Sequence, residues 1–222
     1  MSLRHGLLED AGILHGFGTR ESSEPEAVLR PRQVHGVTVA SVAAGKVQPG
    51  EADAIWTAEP GVAVGVITAD CVPVLVAERD GSLVAAIHAG WRGLAAGVIA
   101  AALAVLRERR AVADRLVAVV GPCIGRCCYE VDQPVLAALR PRFRSALDGA
   151  LVPTRPGHAR VDLAALAIAE LSRTLPSASV GRLTEACTQC DPVRFHSYRR
   201  DGPRSGRLLH WVTSPTRSPS GE

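Results

Sequence analysis

Two imidazoles and one thiol, His35, Cys71 and His88, are the side chains of this sequence that combine most readily into a reactive centre. They offer two nitrogen donors and a thiolate. That set suits zinc, with a fourth position left for water or substrate, and it also suits copper. Each could equally be a satisfied core residue, since free cysteine often packs as a small hydrophobe. His35 follows "RQV" and precedes Gly36, which permits close backbone approach. Arg92, Arg199 and Arg200 are candidates for holding an anionic group, because a planar guanidinium fork matches phosphate. A surface or structural ion pair is the plainer reading of each. "GWRGLAAG" opens a helix, so free N–H groups near Arg92 and Gly93 could assist an anion. Asp70 adjoins Cys71 and ranks low as a proton carrier, because a regular strand would turn it to the other face.

A β-hairpin is what would place Cys71 beside His88. "VPVLVAE" (72 to 78) and "SLVAAIHA" (82 to 89) are rich in Val, Ile and Leu, and Asp80-Gly81 between them suits a two-residue primed turn. With that loop, paired positions sum to 161, so Val74 faces Ile87 and Pro73 faces His88. Cys71 shares a face with Pro73 and becomes a diagonal neighbour of His88, roughly 7 Å away at Cα.

The remaining segments read as a mixture of strands and helices without strict alternation, which predicts an α/β (α+β) fold of mixed sheets covered by helices. "ILHGFGTR" reads as a strand, and so does "RQVHGVTVASV" (32 to 42), interrupted at Gly36. Residues 52 to 70 give a short strand, a Pro60-Gly61 turn and a buried strand. "GLAAGVIAAALAVLRERR" (93 to 110) predicts one helix, apolar on nearly every face and hence well buried. "RLVAVVGPCIG" is a strand running into a turn. "QPVLAALRPRF" and 162 to 175 predict two further helices, and 196 to 212 ends in a strand. A single domain over 1 to 212 is expected, with 213 to 222 as a disordered polar tail.

Composition narrows the function classes. Hydrophobic residues make up 47% of the 222, enough for a large core, and the net charge is only +3. Lys46 is the sole lysine beside 24 arginines, and no basic run is interleaved with aromatics, so no nucleic-acid partner is expected. The longest apolar run, "LAAGVIAAALAVL", is too short to span a bilayer, and the first residues lack a secretory pattern. No membrane partner and a cytoplasmic location are the expectations. Six cysteines in such a chain read as thiols or ligands rather than a disulfide framework. "CIGRCC" and "CTQC" could join in a structural zinc site, but buried thiols are the better reading.

The motifs "QVHG", "ADAIWT", "ADCVPVLV", "AAIHAGWRG", "GPCIGRCCYEV", "CT" and "FHSYRRDGPRSGR" together resemble the YfiH-like family, over about residues 13 to 212 and in the same order. That family was long labelled multicopper polyphenol oxidase or laccase-domain protein. It is now described as zinc-dependent purine nucleoside phosphorylases with adenosine deaminase and methylthioadenosine phosphorylase activity. A role as an editing hydrolase for peptidoglycan precursors has also been attached to it. The resemblance implies two packed mixed β-sheets flanked by helices in a four-layer arrangement. It implies metal binding by His35, Cys71 and His88, and purine nucleosides and phosphate as substrates. Three departures bear on the substrate pocket: a short segment from Glu21 to Pro31, Ala167 where an Asn is usual, and His196 where an aromatic is common. A non-catalytic metal-binding homologue is the reading the shortened segment 21 to 31 would favour.

Laccase chemistry can be weighed on histidines alone. A multicopper oxidase needs a blue-copper centre together with a three-copper cluster built from many more histidines, typically in His-x-His pairs. This chain has seven, at 5, 15, 35, 88, 158, 196 and 210, none two apart, too few for both centres in one subunit. The zinc-deaminase signature of His-x-Glu with a later Pro-Cys-x-x-Cys is absent. Phosphorolysis instead requires an anion site near the ribose, the part assigned to the three arginines.

Overall fold

The protein is described by a computed structural model that covers its 222 residues except 24, 43–49, 110, 177, 178, 185 and 216–222. A six-stranded mixed sheet is its centre, in the order β12 (Val180–Arg182), β8 (Leu116–Val120), β6 (Val72–Glu78), β7 (Val84–Ala89), β4 (Ala54–Thr57), β3 (Val39–Ser41). Its two edge pairs are parallel and its inner pairs antiparallel. A four-stranded mixed sheet, β1 (Leu14–Phe17), β13 (Leu208–Thr213), β5 (Ala63–Thr68), β2 (Val28–Leu29), packs on one face. Helices α2 (Trp91–Ala96), α3 (Val98–Glu108), α4 (Gln133–Ala150) and α5 (Leu163–Leu171) contribute to the core on the other. A third, antiparallel sheet of β10 (Leu151–Pro153), β11 (His158–Val161) and β9 (Glu130–Asp132) was not foreseen. Short helices α1 (Gly6–Glu9) and α6 (Tyr198–Asp201) complete the set.

The two-sided burial of the central hairpin explains its composition. Val72, Val74 and Val76 of β6 join the helix-side core, whereas Leu75 and Ala77 join Phe17, Val64, Val66 and Val212 between the sheets. A strand covered on both faces has no use for alternation, so it reads as a continuous apolar run. Each fully buried Val or Leu contributes about 1.5–3 kcal/mol. The register is the one expected, Pro73 opposite His88 and Val74 opposite Ile87. The loop is longer than two residues, because pairing stops at Glu78 and Leu83. Asp80-Gly81 remains at its centre, so the pairing sum is unchanged.

Three predicted elements change form. Residues 32 to 42 are not one strand: the chain bends at His35-Gly36, Arg32 makes an isolated bridge to Glu51, and only Val39–Ser41 forms a strand. The helix expected over 93 to 110 is two, α2 and α3, broken at Gly97 in the left-handed region (φ 94°). Only one face of α3 is buried, through Val98, Ile99, Ala102, Leu103 and Leu106. The helix begun by "QPVLAALRPRF" extends to Ala150, with Pro141 inside it and a break at Arg144 (φ 43°). Asp162 caps α5 by accepting from the Ala165 N–H at 2.9 Å, and the helix ends at Leu171, short of residue 175. At the C-terminal end, Thr213 belongs to β13 and Ser214 is buried, donating to the Gly81 carbonyl. The rest of the expected tail, 216 to 222, lies outside the described residues. Among the described residues, no helix is long and apolar enough to cross a membrane.

Candidate metal centre

The structure brings His35, Cys71 and His88 together: one donor atom from each lies within 4.8 Å of the others. Cys71 Sγ is 3.9 Å from His35 Nε2, and the two imidazole rings stand edge to face with centroids 4.8 Å apart. Cys71 sits in the bend just before β6 rather than on the strand, and still meets His88 at the end of β7. His35 is exposed, Cys71 half-buried and His88 buried, so the set opens to solvent on the His35 side. Gly90, just after β7, is what lets them close. A Cβ there would lie 3.0 Å from His35 Cδ2 and 3.1 Å from Cys71 Sγ.

Asp53 organises this centre, and sequence reasoning missed it. The residue is fully buried at the start of β4. Its Oδ1 accepts from His88 Nδ1 at 2.8 Å and from the His35 N–H at 2.9 Å. Its Oδ2 accepts from the Gly36 N–H at 2.6 Å and the Val34 N–H at 3.2 Å. His35 adopts φ 61°, a left-handed conformation that costs a non-glycine residue about 1–3 kcal/mol. Three successive N–H groups thereby converge as an anion-binding nest, and the carboxylate fills it. One buried carboxylate therefore fixes both the His35 bend and the ring of His88, leaving His88 Nε2 to face the centre. That is the carboxylate–histidine relay that orients metal ligands. In the sequence it is an acid ahead of the apolar strand of "ADAIWT", with nothing local to mark its role.

Protonation follows from the geometry. Burial disfavours the imidazolium of His88, but the Asp53 carboxylate and the Cys71 thiol outweigh it and raise its pKa to about 9. Burial pushes the Cys71 thiol up, yet hydrogen bonding to His35 and His88 overcomes this and brings it to about 7. Burial also works against the Asp53 anion, but His88 and the Gly36 and Val34 N–H groups hold its carboxyl below the usual range. Two imidazoles and an easily ionised sulfur, with an exposed side, fit a divalent metal of the zinc or copper kind.

The arginines divide. Arg92 is exposed, its guanidinium 4.4 Å over the Trp91 ring in the first turn of α2. Arg199 lies over Tyr129 at 5.0 Å and donates to the Glu130 carbonyl. Trp91, Tyr129 and Arg199 line a cavity of about 410 Å³ with Arg155 and His158. The metal-centre residues are not in its wall, but Gly90, where an added Cβ would meet two of them, immediately precedes Trp91. Arg200 commits all five of its N–H groups to protein acceptors: Thr188, Gln189 and Phe195 carbonyls and both Asp201 oxygens. Asp70 is buried at φ 92°, and its carboxylate accepts from Thr188 Oγ1 and the Arg199 N–H, each at 2.6 Å. Ala167 is fully buried in the helix-side core. His196 lines a second cavity with Arg20, Arg200 and Arg204.

The other cysteines are not simply buried thiols, contrary to expectation. Cys127 and Cys190 are exposed, Cys128 and Cys187 half-buried, and the four gather as a second cluster. Cys123 alone is buried, its thiol pushed up to about 12 by burial.

Fold and site together define a mixed α/β protein with a two-imidazole, one-thiol candidate metal centre seated at the end of its central hairpin. Residues 18–214 match the family described as "Multi-copper polyphenol oxidoreductase laccase", and the chain belongs to that family. It is 44% identical over 188 residues to "Purine nucleoside phosphorylase" of Xylella fastidiosa (strain 9a5c), covering 82% of this chain and 70% of that one. It is 33% identical over 192 residues to "Adenosine deaminase RL5" of an unknown prokaryotic organism, covering 82% and 73%. The crystal structure of YlmD from Geobacillus stearothermophilus superposes with TM-score 0.83 at 25% identity, over 95% of this chain and 94% of that one.

Proposed function

We propose that this chain is a zinc-dependent purine nucleoside phosphorylase that also deaminates adenosine and phosphorolyses methylthioadenosine. The observation that carries the reading is the convergence of His35, Cys71 and His88, held by Asp53, beside the cavity that begins at Trp91. Relatives named purine nucleoside phosphorylase and adenosine deaminase support it. When bound, the ion supplies a Lewis acid with a coordination position that three protein ligands leave open.

The chain's own residues supply orientation and anion recognition. Asp53 keeps the proton of His88 on Nδ1, so the ring presents Nε2. Trp91 and Tyr129 offer aromatic surface for a purine, and a volume of about 410 Å³ suits a nucleoside. Phosphate falls to Arg92 and Arg199. Arg200, with its donors engaged, instead fixes α6 and the turn at Thr188. Copper-oxidase chemistry lacks ligands: His5, His15, His158, His196 and His210 belong to neither cluster of metal-competent donors. The test is to incubate metal-loaded protein with adenosine, inosine and methylthioadenosine, with and without phosphate. Free base, the phosphorylated sugar and ammonia are then followed. Turnover no greater than in a Cys71→Ala control would refute the proposal.

A further inference from the structure

We propose that Cys127, Cys128, Cys187 and Cys190 form a second metal site, a closed four-thiolate zinc centre separate from His35, Cys71 and His88. Their sulfur atoms all lie within 4.8 Å of one another. Cys128 Sγ is 3.3 Å and Cys127 Sγ 3.5 Å from Cys190 Sγ. A tetrahedral ion with Zn–S of about 2.3 Å sets its ligand sulfurs about 3.8 Å apart, so only small rotations would complete the coordination. Two disulfides could pair all four sulfurs, but the cysteines are free thiols, and separations of 3.3 and 3.5 Å are well beyond the S–S bond of about 2.05 Å. An all-sulfur tetrahedral set selects zinc among the common divalent cations.

The backbone is arranged as such a site needs. Cys127 and Cys128 lie on the turn 126–128, Cys190 ends the turn 188–190 and Cys187 immediately precedes it, and Cys187-x-x-Cys190 has the spacing of zinc ribbons. The Gly125 N–H donates to Cys187 Sγ at 3.2 Å, which stabilises a thiolate. The four cysteines gather although the two pairs are some sixty residues apart in sequence: Cys127 and Cys190 differ by 63 positions. Cys123, which pairs with Cys187 only through a backbone bridge, keeps its thiol in the core and takes no part.

The ion would staple the loop after β8 to the turn before α6. That turn is already tied inward, because Thr188 donates to Asp70, the neighbour of Cys71, and Arg200 holds the Thr188 and Gln189 carbonyls. Tyr129, which lines the cavity, follows directly on Cys128, and Arg199, which also lines it, lies in α6, nine positions beyond Cys190. The site is therefore structural, four protein ligands leaving no open position, and it braces one wall of the cavity without contacting substrate.

Metal content tests this without reference to activity. Protein purified without a histidine-affinity column should carry about two zinc ions per chain by elemental analysis. Cys71→Ala and Cys190→Ser should each carry one, and Cys123→Ser should keep two. Cobalt-loaded Cys71→Ala should show the strong thiolate-to-cobalt charge-transfer and ligand-field bands of a tetrahedral sulfur site, which settles the matter even if Cys190→Ser fails to fold. Absence of those bands, or a single zinc per chain that disappears in Cys71→Ala, would overturn the proposal. Disulfides among these four residues in freshly purified, reduced protein would overturn it too.

Discussion

Replacing Asp53 by Asn removes one charge and almost no volume, and the structure predicts a large effect on metal binding. The carboxylate accepts four hydrogen bonds, two on each oxygen. An amide has one acceptor oxygen. If that oxygen stays with His35 N–H and His88 Nδ1, the new NH₂ points at the Val34 and Gly36 N–H groups. Each donor so stranded costs about 1–3 kcal/mol. If the amide flips, the NH₂ meets His88 Nδ1 and drives the ring proton to Nε2, the atom that should face the metal. Both orientations disable one ligand. Removing one partner of a buried pair costs about 3–5 kcal/mol, and losing an outer-shell carboxylate costs 10–100-fold in metal affinity, or about 1.4–2.7 kcal/mol. Asp53→Asn should therefore melt several degrees lower in metal-free form and, with Cys190→Ser as the common background, bind zinc at the His35, Cys71 and His88 centre at least about tenfold more weakly in chelator competition. An affinity within twofold of wild type in a folded variant would refute the relay from Asp53 to both imidazoles.

Other outcomes follow from the same coordinates. At the His35, Cys71 and His88 centre, titrated in Cys190→Ser so that the cysteine cluster does not contribute, zinc binding at pH 7 should release about 1.5 protons, nearly one from His88 (pKa about 9) and half of one from Cys71 (about 7). Affinity should accordingly rise with pH until about 9; calorimetry in buffers of different ionisation enthalpy measures the release, and none would contradict the assignment. Gly90→Ala should weaken metal binding several-fold with little loss of stability, because its Cβ would press on His35 and Cys71 while the φ of −70° stays allowed. His210 is buried neutral, donating from Nε2 to Thr68 and accepting from Gly18 N–H, and burial together with the His88 cation brings its pKa to about 3. Since the unfolded chain takes up this proton near pH 6.5 and the folded one does not, stability should fall on acidification from 6.5 towards 3. The slope from this one residue is about 1.4 kcal/mol per pH unit, and urea unfolding of His210→Gln should show it removed.

What the sequence disclosed depended on range. The hairpin register was legible because β-branched runs flank a turn dipeptide, and lengthening the loop symmetrically about Asp80-Gly81 preserved every pair. The three donors were legible as types, but the bend that presents His35 is not a strand, and only Gly36 hinted at it. Asp53 was invisible because its partners lie 18 and 35 residues away and no local pattern distinguishes a nest-filling acid from any other. β2, β12 and the strands of the third sheet have two to four residues each, too few for a period to register. The helix break at Gly97 follows from a left-handed turn that a long apolar run concealed. Arg200 looked like an anion binder by type, and only its neighbours reveal that its donors are engaged.

The three presumed ligands differ in how firmly the chain grips them. His88 lies on a hairpin strand with no solvent-facing side, so freeing it requires opening the core, and Cys71 sits in the bend that leads into the other strand of that hairpin. The third rides an exposed bend secured chiefly by a single acid. Exchange of the ion with its surroundings should therefore begin by an outward swing of His35, with the sulfur and the inner imidazole waiting in place for the next one.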